Sequence, residues 1–132
     1  MLRMESDLDA ELESLATGIV DAAYKVHKTI GPGLLESVYE KCMGYELRKR
    51  GFQVLTQVNL PVMYDELEIE AGLRIDIFVN GQIILELKSV ENILPVHKAQ
   101  LLSYMKLSDS KLGFLLNFNV PLMKQGITRM VL

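Results

Sequence analysis

Asp76, Glu86 and Lys88 interrupt the two apolar runs of RIDIFVNGQIILELK, residues 74–88. Two carboxylates a few ångströms apart can share a divalent cation, and a neighbouring ammonium can orient a water or stabilise charge developing on a phosphate. An all-oxygen ligand set favours a hard ion, magnesium or manganese, over zinc. Cys42 is the one cysteine of the chain and no Cys/His cluster accompanies it, so neither a zinc site nor a disulfide framework is expected. It reads instead as a buried helix residue. The same three residue types also occur as an ordinary ion-pair ladder on a solvated face, and residue type alone does not choose between the two.

Strand pairing decides whether these groups meet. Alternation divides the first run into Ile75, Ile77, Val79 and Arg74, Asp76, Phe78, and the second into Ile83, Leu85, Leu87 and Gln82, Ile84, Glu86, Lys88. Asn80-Gly81 advertises a two-residue type I′ turn, which would pair Val79 with Gln82 and set apolar against polar faces. A three-residue loop, Val79-Asn80-Gly81 with Gly81 left-handed, instead pairs Phe78 with Gln82 and Asp76 with Ile84. Because a one-residue slip turns every side chain over, the burial pattern outweighs the dipeptide signal. Asp76, Glu86 and Lys88 are then expected on one face, with Asp76 diagonal to Glu86 at roughly 7 Å or less.

The surrounding elements must hold that hairpin. From Asp7 to Lys28, Leu8, Leu12, Leu15, Ile19, Ala22, Ala23 and Val26 recur at helical spacing, and Gly31-Pro32-Gly33 stops the helix. The stripe can bury against the sheet or against a second copy, which would make a homodimer. A second helix is expected over about 34–50, with Glu36 in its first turn, Arg48, Lys49 and Arg50 in its last, and Gly51 as its stop. FQVLTQVNLPVMY reads as extended with a break or an edge position at Pro61, Pro95 opens a third helix to about Leu107, and KLGFLLNFNV and GITRMVL read as strands. The order α-α-β-β-β-α-β-β gives an α/β (α+β) fold, a mixed central sheet flanked by helices.

At 132 residues, 49% apolar and 23% charged, the chain suits a single domain over 1–132, with 1–25 an N-terminal helix preceding or opening the core. Apolar runs far shorter than the roughly 20 residues that span a bilayer, and the acidic N-terminus, argue for a cytoplasmic protein without a membrane partner. A net charge of −3 provides no global field for nucleic acid, so any such role needs a local patch, a metal or a partner.

Upstream of the hairpin, GPGLLESVYE contains Gly33-x-x-Glu36-x-x-Tyr39 followed by Glu40, and this resembles the GxxExxY family, a branch of the PD-(D/E)xK nuclease-like fold. The resemblance runs from about Val26 through Phe114. It implies a restriction-endonuclease-like core and a metal-dependent nuclease acting on DNA or RNA. The metal would be held by Asp76 and Glu86 with a helix acid, Glu36 or Glu40, and Lys88 would be the catalytic lysine. Glu36 and Glu40 lie one turn apart, so either could reach the ion. Gln100-x-x-x-Tyr104 is similar to the helix motif of RecB-type exonucleases, where it lines the active site, and His97 joins these two on one helical stripe. His27 matches the upstream histidine of that branch but also suits a helix-end cap. Tyr39 reads as packing or as a hydrogen bond from helix to sheet. Two departures stand out: Ile75 replaces the signature proline, and Gly72-x-x-x-Asp76 is one residue longer than the RecB spacing. A silent module that keeps this core for nucleic-acid or protein binding is the alternative.

Overall fold

A computed structural model describes residues 9–132. Helix α1, Ala10–Ile30, starts at the cap Asp9, whose side chain accepts from the Leu12 N–H at 2.7 Å, and stops at Gly31, whose φ of 73° suits glycine. Asp7 and Leu8, assigned to this helix from the sequence, lie outside the described residues. Helix α2 spans Glu36–Lys49 and α3 Pro95–Ser108. Five strands, β1 (Val54–Asn59), β4 (Arg74–Val79), β5 (Ile83–Lys88), β6 (Leu112–Asn117) and β7 (Ile127–Val131), form one sheet in the order β1-β4-β5-β6-β7. Only β5 and β6 run parallel, across the α3 connection, so the sheet is mixed as expected. A 3-10 turn, Met123–Gly126, leads into β7.

Between β1 and β4 the chain does something its pattern did not announce. Residues past Pro61 form a separate two-stranded hairpin, β2 (Val62–Tyr64) and β3 (Leu67–Ile69), turned at Asp65 with φ 55°. The pattern predicts extended chain to Tyr64 with a break or an edge position at Pro61, and no return strand after it. The local cause is Asp65-Glu66, a polar pair that allows the reversal in an otherwise extended stretch.

Two apolar layers clamp the sheet. On one side α1 and α2 deliver Leu12, Ile19, Ala22, Ala23, Val26, Tyr39, Met43 and Leu47 onto Ile77, Val79, Ile83, Leu85, Leu87, Phe114 and Leu116. On the other, Leu101, Tyr104 and Met105 of α3 cover Leu60, Ile75, Ile84 and Leu115. Each fully buried aliphatic side chain contributes about 1.5–3 kcal/mol. The α1 stripe is thus spent on the chain's own core, and its small residues Ala22 and Ala23 permit close approach. Cys42 is partly buried against the same layer. Glu46 of α2 binds Lys25 of α1 at 3.2 Å and Arg50 at 2.9 Å, and Arg50 holds that carboxyl below its ordinary range.

The hairpin register differs from the expected one by two residues. Val79 pairs with Ile83, Phe78 with Ile84 and Ile77 with Leu85, so the odd loop is Asn80-Gly81-Gln82. Asn80 and Gly81 have φ of 53° and 63°, and the Gln82 N–H donates to the Val79 carbonyl at 3.0 Å, as in the turn Asn-Gly advertises. Gln82 is then the extra residue before pairing resumes. The tip is pinned by β1, since the Asn80 N–H donates to the Gln53 carbonyl and the Asn80 side chain accepts from the Gln53 N–H. This register sets Ile77 against Leu85 and Val79 against Ile83 directly, so the apolar pairs share a face.

Ile75 is a second correction. It does not share the face of Ile77 and Val79 but sits in the α3 layer with Leu60 and Ile84. Burial still alternates along β4, but beyond Ile77, where the ladder with β5 ends, Ile75 packs into the second layer.

Candidate active site

The parting of β4 and β5 makes the site. Their ladder ends at Ile77 and Leu85, and the next rung is built by side chains. The Asp76 N–H donates to Glu86 Oε2 at 3.0 Å, and the Leu87 N–H donates to Asp76 Oδ2 at 2.9 Å. Each carboxylate therefore serves the amide that the fork would have orphaned, which is the local reason why acids stand where the strands should bury Val and Ile. Asp76 and Glu86 face each other across the fork rather than on a diagonal.

Glu86 is only 4% exposed, yet it carries a carboxylate beside another carboxylate. Burial, and then the charge of Asp76, push its pKa up to about 8. Burial likewise raises Asp76, with Glu40 and Glu36 adding repulsion, against a hydrogen bond from Leu87 and the charge of Lys88 that lower it. Lys88 acts in the same lowering sense on Glu86. The carboxylates, the two α2 acids and the ammonium thus share one electrostatic neighbourhood. Lys88 is fixed at the end of β5: its carbonyl accepts from the Phe118 N–H, and the next residues are clamped by Asn117, whose side chain exchanges two hydrogen bonds with Val90.

Glu36 and Glu40 approach from α2. Gly33, with φ 90°, and Gly31 fold the turn before this helix, and the Tyr39 hydroxyl locks it by donating to the Gly31 carbonyl at 2.6 Å and accepting from the Leu34 N–H at 3.1 Å. The Tyr39 ring stacks on Phe118 with centroids 4.4 Å apart. Its hydrogen bonds go to the turn, not to the sheet. Ser89, one residue beyond Lys88, donates to the Leu34 carbonyl at 2.6 Å and so ties the start of α2 to the end of β5. Glu40 is held by the Gln57 amide, which donates to Glu40 Oε1 at 2.6 Å and lies 3.5 Å from Asp76 Oδ1.

Gln57 was not among the residues singled out from the sequence. It stands opposite Asp76 in β1 with a φ of 51°, a conformation that costs a non-glycine residue roughly 1 kcal/mol or more and that concentrates at functional sites. No sequence signal marks it. Asn117 had one, an amide inside the apolar run KLGFLLNFNV.

On the α3 side, burial raises the Tyr104 hydroxyl, with the charges of Glu86 and Asp76 adding to it, and Gln100 donates to that hydroxyl at 3.2 Å. Tyr104 thus feels the charge of both carboxylates. His97 and His27 do other work. His97 caps α3 by accepting from the Leu94 N–H at 2.9 Å, and His27 is buried with Nε2 at 2.7 Å from the Val120 carbonyl, to which it donates. Among the described residues no group of three His, Cys, Asp or Glu side chains is placed to hold a metal ion, and Asp76 and Glu86 are the carboxylates that interlock. Also among the described residues, no helix is long and apolar enough to cross a membrane.

The sequence model of the PD-(D/E)XK nuclease superfamily matches residues 13–130. No curated protein and no solved structure matches the chain.

Proposed function

This chain belongs to the PD-(D/E)XK nuclease superfamily, and on that premise we propose that it is a metal-dependent nuclease hydrolysing phosphodiester bonds in DNA or RNA, of the GxxExxY branch. The observation that carries the reading is the interlocked pair Asp76 and Glu86 at the fork, with the charge of Lys88 acting on both. A carboxylate pair this desolvated needs either a proton or a cation, and its all-oxygen donor set suits magnesium or manganese. Asp76 and Glu86 would hold the ion, with Glu36 or Glu40 close enough to add charge. When bound, such an ion polarises a phosphoryl oxygen and lowers the pKa of a water.

The chain's own residues supply the rest. Lys88 carries a fixed positive charge beside the carboxylates, suited to orienting the attacking water and to stabilising charge on the phosphate. Gln100 and Tyr104 form a hydrogen-bonded pair at the opposite wall, with the hydroxyl kept protonated, able to donate to a phosphate or sugar oxygen. Gln57 places an amide between Glu40 and Asp76 and keeps those carboxylates apart.

The test combines two assays on the purified protein. Cleavage of labelled single- and double-stranded DNA and RNA is expected with magnesium or manganese and not with chelator. Calorimetric titration is expected to show divalent-ion binding weakened at least tenfold by Asp76→Ala. No cleavage of any of these substrates, with no metal binding that Asp76→Ala weakens, leaves the silent binding module as the better reading.

A further inference from the structure

Beside the site, α2 and β1 enclose an open groove of about 650 Å³ whose walls include Glu40, Lys41, Gly44, Tyr45, Arg48 and Lys49. Three of these are cations, although the whole chain is acidic. Lys41 and Lys49 make no ion pair among the described residues. Arg48 gives one N–H to the Val54 carbonyl at 3.2 Å and keeps its remaining donors. The nearby α2 acid, Glu46, is turned inward onto Lys25 and Arg50 and does not offset them. Tyr45 stands between the lysines with 68% of its surface exposed, an aromatic face with no apolar layer to cover it. Gly44 is buried beneath the Arg48 guanidinium, whose Nη1 would lie 3.3 Å from a Cβ there.

We propose that this groove is the track for a single-stranded segment of nucleic acid leading to the carboxylates, an inference that rests on the nuclease reading and deepens it. Lys41 and Lys49 are two turns apart, about 12 Å along the helix, far enough to meet two different phosphates of one strand. A base unstacked from its neighbours can lie on Tyr45, the sequence-tolerant contact that single-strand readers use. The groove ends at Glu40, which the Gln57 amide joins to Asp76, so a strand seated on the cations arrives at the fork. A paired duplex could use the charges but not the ring. An acidic protein could use the charges too, and the stacking face separates the two partners.

The experiment measures binding of fluorescein-labelled dT12 by anisotropy in chelator, at 50–200 mM salt. Wild type is compared with Lys41→Ala/Lys49→Ala, with Tyr45→Ala, and with Lys28→Ala/Lys124→Ala, a charge-matched pair lining a separate cavity. The substituted positions are solvent-facing, and circular dichroism verifies folding. Removing the groove lysines is expected to reduce the salt slope by about 1.4, at about 0.7 per single-strand phosphate contact. Tyr45→Ala is expected to weaken dT12 several-fold to about a hundredfold with the slope unchanged, and the control pair to change neither.

The proposal is overturned if wild type does not bind dT12, if the control pair matters as much as the groove pair, or if polyglutamate competes as well as dT12. A manganese cleavage assay separates the two readings. Binding that follows the groove without any cleavage retains the groove and removes the nuclease. Cleavage of single-stranded DNA at an unchanged rate and KM in the groove variants removes the groove and retains the nuclease.

Discussion

Glu86→Gln is expected to stabilise the metal-free protein at high pH while removing its response to metal. In the folded state Glu86 is protonated up to about pH 8, against an ordinary value of 4.5. Between those values the folded chain binds a proton that the unfolded chain has released, so stability is full below about pH 4.5 and falls as pH rises through 8. Keeping the pKa at about 8 corresponds to at most about 5 kcal/mol. Water entry and relaxation around an ionised buried carboxylate should leave roughly half of that. Glutamine keeps an oxygen for the Asp76 N–H, and its amide can donate to Asp76, so the fork is preserved without the charge. Urea denaturation in chelator at pH 5 and pH 9 reads the difference. The two proteins should be near equal at pH 5, with the variant more stable by about 2–3 kcal/mol at pH 9. Manganese at a hundred times its dissociation constant should add about 2.7 kcal/mol to wild type and much less to the variant. A wild-type stability that is flat or rising over this range in chelator would refute the reasoning, as would a variant less stable at pH 9 or one that manganese stabilises equally.

Three other outcomes follow from the same geometry. Lys88→Met removes the charge that lowers both carboxylates. Divalent binding should then persist but develop at higher pH in a calorimetric pH series, while cleavage falls by about a hundredfold or more. Gln57→Gly should be more stable than Gln57→Ala by about 1 kcal/mol in urea melts, because glycine accepts the φ of 51° without strain; equal stabilities would deny that strain. Tyr39→Phe keeps the stack on Phe118 but strands the Gly31 carbonyl and Leu34 N–H, and should cost about 1–3 kcal/mol by thermal or chemical denaturation.

Much of the molecule is written locally in its sequence. The 3.6-residue stripe from Leu12 to Val26 and the stop at Gly31 define α1, the dipole-matched ends define α2, and Pro95 defines the start of α3, because helix signals are carried within a few residues. The acids and the lysine of the fork were likewise visible, since charges inside apolar strand runs need a reason. The β2–β3 hairpin escaped because two three-residue strands are too short for alternation to register.

What the sequence could not determine was set by contacts between distant elements. In the folded chain Ile77 and Val79 lie opposite Leu85 and Ile83 in the layer under α1 and α2, and that register brings Asp76 to face Glu86 directly. Ile75 packs in the second apolar layer, with α3, because the β4–β5 ladder has ended before it. Gln57 acquired its place only because β1 runs beside Asp76 while α2 brings Glu40 within reach. The residues named their chemistry. Their meeting required a sheet that splits between two helical layers, a tertiary property that depends on burial summed over the whole chain and not on any one stretch.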